Sequence, residues 1–307
     1  MPDRLVPRAP GRRAPALPGV LLLLCGLWLA FAAAAARAQD AAAPHLPRIG
    51  VMTMTPGTEY WARFGHNAVV VDDPERGLRI SYNFGYFDFD QPGFFTNFLR
   101  GDMRYRLVAM TLEDDLRGYA AEGRGATLQW LDLDPDQAIA VRDYLAWNAR
   151  PENAEYRYDY FADNCSTRVR DVLDRALGGE LARQLSGRSH GLTYRVESLR
   201  LGMHVGLGPY ADRPLSIWDE AFVPHRLADA LDRATGTSGR PLVIERVPLL
   251  EDHLGLERPG APALRTAFAA AGIVLALAFA VLLRPGADRA ARRAGAVLAA
   301  GFWLACG

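Results

Sequence analysis

The sequence predicts an α+β domain that leaves the cytoplasm and is followed by membrane-type helices. Three observations carry this: an apolar run with a small-residue cleavage site opens the chain, strand-type and helix-type patterns mix through its middle, and further uncharged runs close it. The 307 residues hold 35 Lys+Arg against 35 Asp+Glu, so no net basic footprint points to a nucleic-acid partner. Half of the residues are apolar, which suits a packed core and excludes wholesale disorder.

Residues 1–38 read as a secretory signal peptide. Arg4, Arg8, Arg12 and Arg13 precede the apolar run from Val20 to Ala36, and Ala36-Arg37-Ala38 supplies the cleavage site. An uncleaved anchor is the alternative, and either one exports the chain beyond it. Cys25 comes after Leu24, where lipoprotein processing favours a small residue, so no acylation is expected there. Residues 39–49 form an Ala/Pro-rich linker and 50–260 the extracytoplasmic domain. Ala267 to Leu283 is uninterruptedly apolar, and a transmembrane helix is expected at 264–284, at the short limit for a hydrocarbon core of about 30 Å. Arg289, Arg292 and Arg293, with Arg284 before them, mark 285–293 as a cytoplasmic loop. Residues 294–307 then start a second span too short to finish, so further helices are expected beyond Gly307.

Inside the domain, strand patterns lie at 104–110, 127–133 and 242–248, and helical ones at 112–122, 135–149, 192–203 and 226–233. Phe94, Phe95, Phe98 and Leu99 fit the buried face of a short helix. The chemistry starts from the cysteine count. Cys25 and Cys306 fall in membrane-type segments, which leaves Cys165 as the one thiol of the exported domain and rules out an internal disulfide. A free cysteine is most often a small buried hydrophobe. Here, however, Val169, Val172, Leu173, Ala176 and Leu177 recur at helical spacing just after it, with Asp163 or Asn164 as the cap and Gly178-Gly179 as the stop. The positive end of a helix dipole favours the thiolate; a fall in pKa from about 8.5 to about 7 raises its share at neutral pH from a few per cent to about half.

A nucleophilic thiol needs a base. His45, His225 and His253 lie in a linker, at a helix start and near the membrane tether, and His190 and His204 in glycine-rich connections. His66 differs, because Phe64-Gly65-His66-Asn67 runs into the strand-like Ala68-Val69-Val70-Val71. A turn at Asp73-Pro74-Glu75-Arg76-Gly77 follows, then Leu78, Ile80, Tyr82 and Phe84 alternate with Arg79, Ser81 and Asn83. If Asp73 faces Leu78 across the turn, Gly85 lies opposite His66, and Asn83 shares its face and can fix the imidazole tautomer. A slip of one residue sends Asn83 to the other face.

A histidine on a strand and a cysteine at a helix N-terminus make the constellation of papain-related thiol enzymes, here with the histidine first. Phe64-Gly65-His66-Asn67, Tyr82-Asn83-Phe84-Gly85-Tyr86-Phe87-Asp88-Phe89, Tyr156-Arg157-Tyr158-Asp159-Tyr160 and Asp163-Asn164-Cys165-Ser166-Thr167-Arg168 together resemble the Lnb N-terminal periplasmic domain family, over about residues 50–235. Ala211-Asp212-Arg213-Pro214-Leu215 and Phe222-Val223-Pro224 are similar to its later landmarks. The resemblance implies a permuted papain-like (NlpC-like) fold, related also to lecithin:retinol acyltransferase, followed by C-terminal transmembrane helices at the bacterial inner membrane. It further implies transfer of an acyl chain, with membrane phospholipid as donor and a lipoprotein N-terminus as acceptor, through a thioester on Cys165 with His66 as base.

Asn83, Asn164 and Ser166 are candidates for orienting the imidazole or holding an oxyanion, and Arg104, Tyr158 and Arg168 for substrate contact. Two other readings stay open: a thiol hydrolase or amidase acting on cell-wall peptide, and a non-catalytic envelope domain with an inert cysteine. The lone thiol and scattered histidines lack zinc-site spacing, and there is no phosphate-binding glycine loop, so neither metal nor cofactor is expected.

Overall fold

The computed structural model describes residues 46–88, 93–194, 209–256, 265–284, 286 and 288–306, together with Trp28. The chain divides into units 1–45 and 46–307. Trp28, helical and exposed, is all that is described of the first, so the expected signal peptide lies outside the described residues.

The second unit is built on one antiparallel sheet of seven strands, which bears out the α+β expectation. Its strands are β1 (Arg48–Met54), β2 (His66–Asp73), β3 (Leu78–Tyr86), β4 (Arg104–Thr111), β5 (Ala126–Leu131), β6 (Glu155–Arg157) and β7 (Val243–Leu250), in the spatial order β6-β4-β3-β2-β1-β5-β7. Strand β2 is therefore the middle one. Its run Ala68-Val69-Val70-Val71 is buried on both faces, which explains why it reads as continuously apolar rather than alternating. On one face Val51, Val69, Val71, Tyr82 and Phe84 form the main core with Val169, Val172, Leu173 and Leu231; on the other Met52, Met54, Ala68, Val70 and Leu128 pack with Leu112.

The helices of the main domain are α1 (Phe94–Arg100), α2 (Leu112–Ala121), α3 (Pro135–Asn148), α4 (Pro151–Ala154), α5 (Cys165–Ala176), α6 (Glu180–Ser186), α7 (Ile217–Glu220) and α8 (Pro224–Arg233). Thr111 caps α2 by accepting from the Asp114 N–H, and Asp134 forms a capping box with Gln137 at α3. Pairing of β2 with β3 sets Asp73 against Leu78 and Ala68 against Asn83, the register expected from the turn between them.

Several expectations need correction. Strand β1 starts at Arg48, inside the segment assigned to the 39–49 linker; its short Arg48–Met54 run gave no alternation because Val51 and Met52 are both buried, one on each face. Strand β5 spans Ala126–Leu131 rather than 127–133. Strand β6 and the short helices α4, α6 and α7 carry too few residues for a periodic signal. Of the helix expected at 192–203, Thr193 instead forms a bridge to Pro214, and 195–203 lie outside the described residues.

Helix α9 (Arg265–Leu282) occupies the stretch where a membrane span is expected, and α10 (Arg289–Cys306) follows. Among the described residues no helix is long and apolar enough to cross a membrane. At 1.5 Å per residue, a helix the length of α9 covers about 27 Å, short of a hydrocarbon core of about 30 Å.

Candidate active site

The thiol stands at the first position of α5, and the local sequence explains why the helix begins there. Asn164, at φ −124° and ψ −173°, breaks the helical path, and its side-chain Oδ1 accepts from the Ser166 N–H at 2.9 Å and the Thr167 N–H at 3.0 Å. Thr167 Oγ1 accepts from the Asn164 N–H at 2.7 Å, which closes a reciprocal box. The Asn164 amide also donates to the carbonyls of Tyr160 (2.8 Å) and Phe222 (2.9 Å), tying the approach to the helix and the loop before α8 to one side chain. With all its groups used, Asn164 is an anchor, and its amide is not aimed at an oxyanion.

His66 opens β2. Gly65, at φ +84°, lets the chain turn onto the strand with its α-carbon against the Met54 carbonyl, where any Cβ would collide. His66 Nε2 lies 3.1 Å from Asn83 Oδ1. The Asn83 amide nitrogen donates to Asp115 Oδ2 (2.9 Å) and Ser81 Oγ (3.1 Å), and the Ser81 hydroxyl donates to the same Asp115 oxygen at 2.5 Å. The polar half of the β3 alternation is thus turned into a second, buried polar layer under α2: Ser81 is 0 % and Asn83 8 % exposed.

His66 and Cys165 lie together beside Gly85, and each acts on the titration of the other. Burial works against the thiolate, but the His66 charge and hydrogen bond, the Asn67 main chain and the Ser166 hydroxyl outweigh it and lower the Cys165 pKa. Burial likewise depresses His66, and the thiolate's charge and hydrogen bond, opposed by Arg124 and helped by Asp115, raise it. The two shifts are coupled, since the charge of each group favours the charged form of the other. Ser166 is held by donating to Asn67 Oδ1 (2.8 Å), and Asn67 donates to Thr53 Oγ1 (2.8 Å), so the thiol's neighbours are fixed from the sheet.

Gly85 lies where the two side chains meet. At φ +102° it sits where the β3–β4 register shifts, between Phe84 and Tyr86, and a Cβ there would lie 3.7 Å from Cys165 Cβ and 4.0 Å from His66 Cε1. Beside the thiol begins an aromatic wall. Tyr158, its pKa raised by burial and by the adjacent Cys165, stacks on Tyr105 at 4.1 Å; Tyr105 stacks on Phe87 at 5.0 Å, and Phe87 meets the edge of Trp61 at 6.0 Å.

The structure therefore brings together Cys165, His66, Asn83, Ser166 and Tyr158 from the sequence-based set. It does not bring the arginines with them. Arg104 pairs with Asp102 (3.3 Å) and Glu155 (3.8 Å) at the surface. Arg168 binds both carboxylate oxygens of Asp163 and covers the Tyr156 ring at 4.0 Å, which makes it a clamp behind the thiol. Gly85 was placed opposite His66 but not against the thiol, and Asp115, Ser81 and Asn67 were missed. Their signal was two polar residues, Ser81 and Asn83, in a strand leading to the site, and an acidic turn Glu113-Asp114-Asp115 of which one member, Asp115, is buried. Among the described residues no cluster of His, Cys, Asp and Glu could hold a metal ion.

A family model described as the Lnb N-terminal periplasmic domain matches residues 35–199, more than half of the chain. The chain belongs to this Lnb family. The match encloses β1 to α6 with His66, Asn83, Asp115 and Cys165, so the whole constellation is part of the Lnb domain. The family's description also gives its compartment, the periplasm. No curated protein and no solved structure matches the chain.

Proposed function

We propose that this Lnb domain is a thiol acyltransferase in which Cys165 carries the acyl group and His66 moves the protons. The observation that carries the reading is the contact of a helix-N-terminal thiol with an imidazole whose far nitrogen is held 3.1 Å from Asn83. Because Nε2 is engaged by Asn83, Nδ1 is the nitrogen left for the thiol.

The chemistry then balances in two halves. The Cys165 thiolate attacks an ester carbonyl of a phospholipid; a C–S bond forms, the ester C–O bond breaks, and the His66 imidazolium gives its proton to the departing lysolipid oxygen. In the second half the N-terminal amine of a lipoprotein attacks the thioester; a C–N bond forms, the C–S bond breaks, and the amine's proton passes to His66, restoring the ion pair. The Asn164 cap engages the N–H groups of Ser166 and Thr167 and leaves that of Cys165, which takes no acceptor among the described residues, as the donor for the oxyanion.

Two features favour an acyl substrate over a cell-wall peptide. The wall from Tyr158 to Trp61 is aromatic, with Trp61 57 % exposed at its outer end, and suits a hydrocarbon chain. The apolar 264–284 segment after the domain would tether the thiol at the inner-membrane surface, raising its effective concentration towards lipid. The permuted papain-like architecture belongs to the same reading: the histidine strand precedes the cysteine helix in the chain.

The test is complementation of a strain lacking lipoprotein N-acylation with the full-length gene, alongside mass spectrometry of the Cys165 peptide after incubation with phospholipid vesicles. An acyl-adducted Cys165 peptide, and rescue lost in both Cys165→Ser and His66→Ala, is the expected result. Cleavage of cell-wall peptide with no adduct would instead establish the hydrolase, and neither product would leave an inert envelope domain.

A further inference from the structure

We propose that Asp115 is a positioning residue of the thiol site, which fixes the direction of the Asn83 amide and through it the tautomer of His66. The inference rests on the reading of Cys165 and His66 as the reacting pair and extends it one layer further from the substrate.

Donor and acceptor chemistry decides how these groups can be arranged. An ionised carboxylate only accepts hydrogen bonds, whereas an amide has one face of each kind. Asp115 is 6 % exposed, lies in the first turn of α2 where the helix dipole favours its negative charge, and receives both the Ser81 hydroxyl and the Asn83 amide nitrogen on Oδ2. Asn83 is thereby held with its NH2 group towards α2. Its oxygen then has only one direction left, towards His66 Nε2. An oxygen there demands a proton on Nε2, and neutral imidazole has only one, so Nδ1 must present its lone pair to the thiol. The reversed amide would put NH2 against Nε2, move the proton to Nδ1 and disable the base. With free rotation the two orientations differ little. The carboxylate makes the choice.

Other groups also face the pair. Tyr119 of α2 and Arg124 beyond it lie on the Asp115 side, the Arg124 guanidinium 4.7 Å from the Tyr119 ring, while Tyr156 and Tyr158 flank the thiol and Ser166 stands 3.8 Å from its sulfur. The Asn83 amide nitrogen donates to Asp115 and to Ser81, and Ser81 is itself held by donating to Asp115, so the carboxylate anchors both.

The test uses the full-length membrane-extracted protein and two readouts that need no acyl substrate. Iodoacetamide alkylation, followed on the Cys165 peptide from pH 5 to 9, reports the thiolate. Asp115→Asn removes the charge but keeps the shape, and should slow alkylation at pH 7 by roughly tenfold and move the acid limb up by about one unit. Glu113→Gln removes the same charge from the exposed side of the same helical turn and should stay within about twofold of wild type, since an exposed charge is screened. In a Cys165→Ala background, nitrogen NMR of neutral His66 should place the proton on Nε2 with Asp115 present and shift it towards Nδ1 in Asp115→Asn. If Asp115→Asn does not fold, Asp115→Ser, whose hydroxyl can also donate, makes the same comparison. An unchanged alkylation profile or an unchanged tautomer overturns the proposal. Failure to find an acylated Cys165 would sink the acyltransferase reading and leave this one standing.

Discussion

Asn164 is the sharpest place to ask whether the thiol helix is set by a cap alone or by its tie to two loops. Removal of a capping side chain costs about 1 kcal/mol. Here the same side chain is 5 % exposed and also supplies the donors for the Tyr160 and Phe222 carbonyls, each of which costs roughly 1 kcal/mol or more when left unpaired in the interior. Asn164→Ala should therefore lose about 3 kcal/mol in urea unfolding. Asn164→Asp separates the two accounts. On a capping scale Asp ranks with Asn, so a pure cap predicts almost no loss. With carbonyls 2.8 and 2.9 Å away, however, the carboxylate replaces two donors by an acceptor, and the loss should match or exceed that of Ala. Unfolding of Asn164→Asp within about 0.5 kcal/mol of wild type would refute this reasoning.

Three further outcomes are expected of the thiol, the imidazole and their surroundings. The Cys165 thiol is held below its ordinary value and the His66 imidazole above its own, each by the charge of the other, so alkylation of Cys165 should persist to lower pH than that of an ordinary thiol and fall as the thiolate is protonated. His66→Ala removes the partner and leaves burial unopposed, so alkylation at pH 6 should fall by roughly tenfold or more and the surviving titration should move up. Gly85→Val forces a β-branched residue into φ +102° and fills the space against His66 and Cys165; it should cost about 1–2 kcal/mol in thermal unfolding and suppress alkylation beyond what the stability loss explains.

Cys165 and His66 could be singled out from sequence because each carries a local signal. Cys165 precedes apolar residues at helical spacing and follows a residue able to cap, and His66 precedes a run of β-branched residues; short-range chemistry fixes both helix start and strand start. The turn of Asp73 to Gly77 set the hairpin register, and with it the face of Asn83, for the same reason: a tight turn leaves few ways to pair its arms. Helices α2 and α3, with their own caps, were readable on similar grounds.

What stayed hidden depends on which side chains turn inward and meet, often across distant parts of the chain. Arg104 and Arg168 have acidic neighbours close in the chain, Asp102 and Asp163, but sequence does not tell that their charges are spent there and, for Arg104, also on Glu155 of β6; nothing near Asp115 tells that it, rather than Glu113 or Asp114, turns inward to meet Ser81 and Asn83. The hairpin register sets Gly85 opposite His66, but only the packing of α5 on the sheet brings Cys165 against it as well. Sequence by itself determined the chemical groups and the elements that present them, since caps, turns and periodicity act within a few residues. Only tertiary packing decided which polar groups lose water and must pair, and that pairing sets how the imidazole is held.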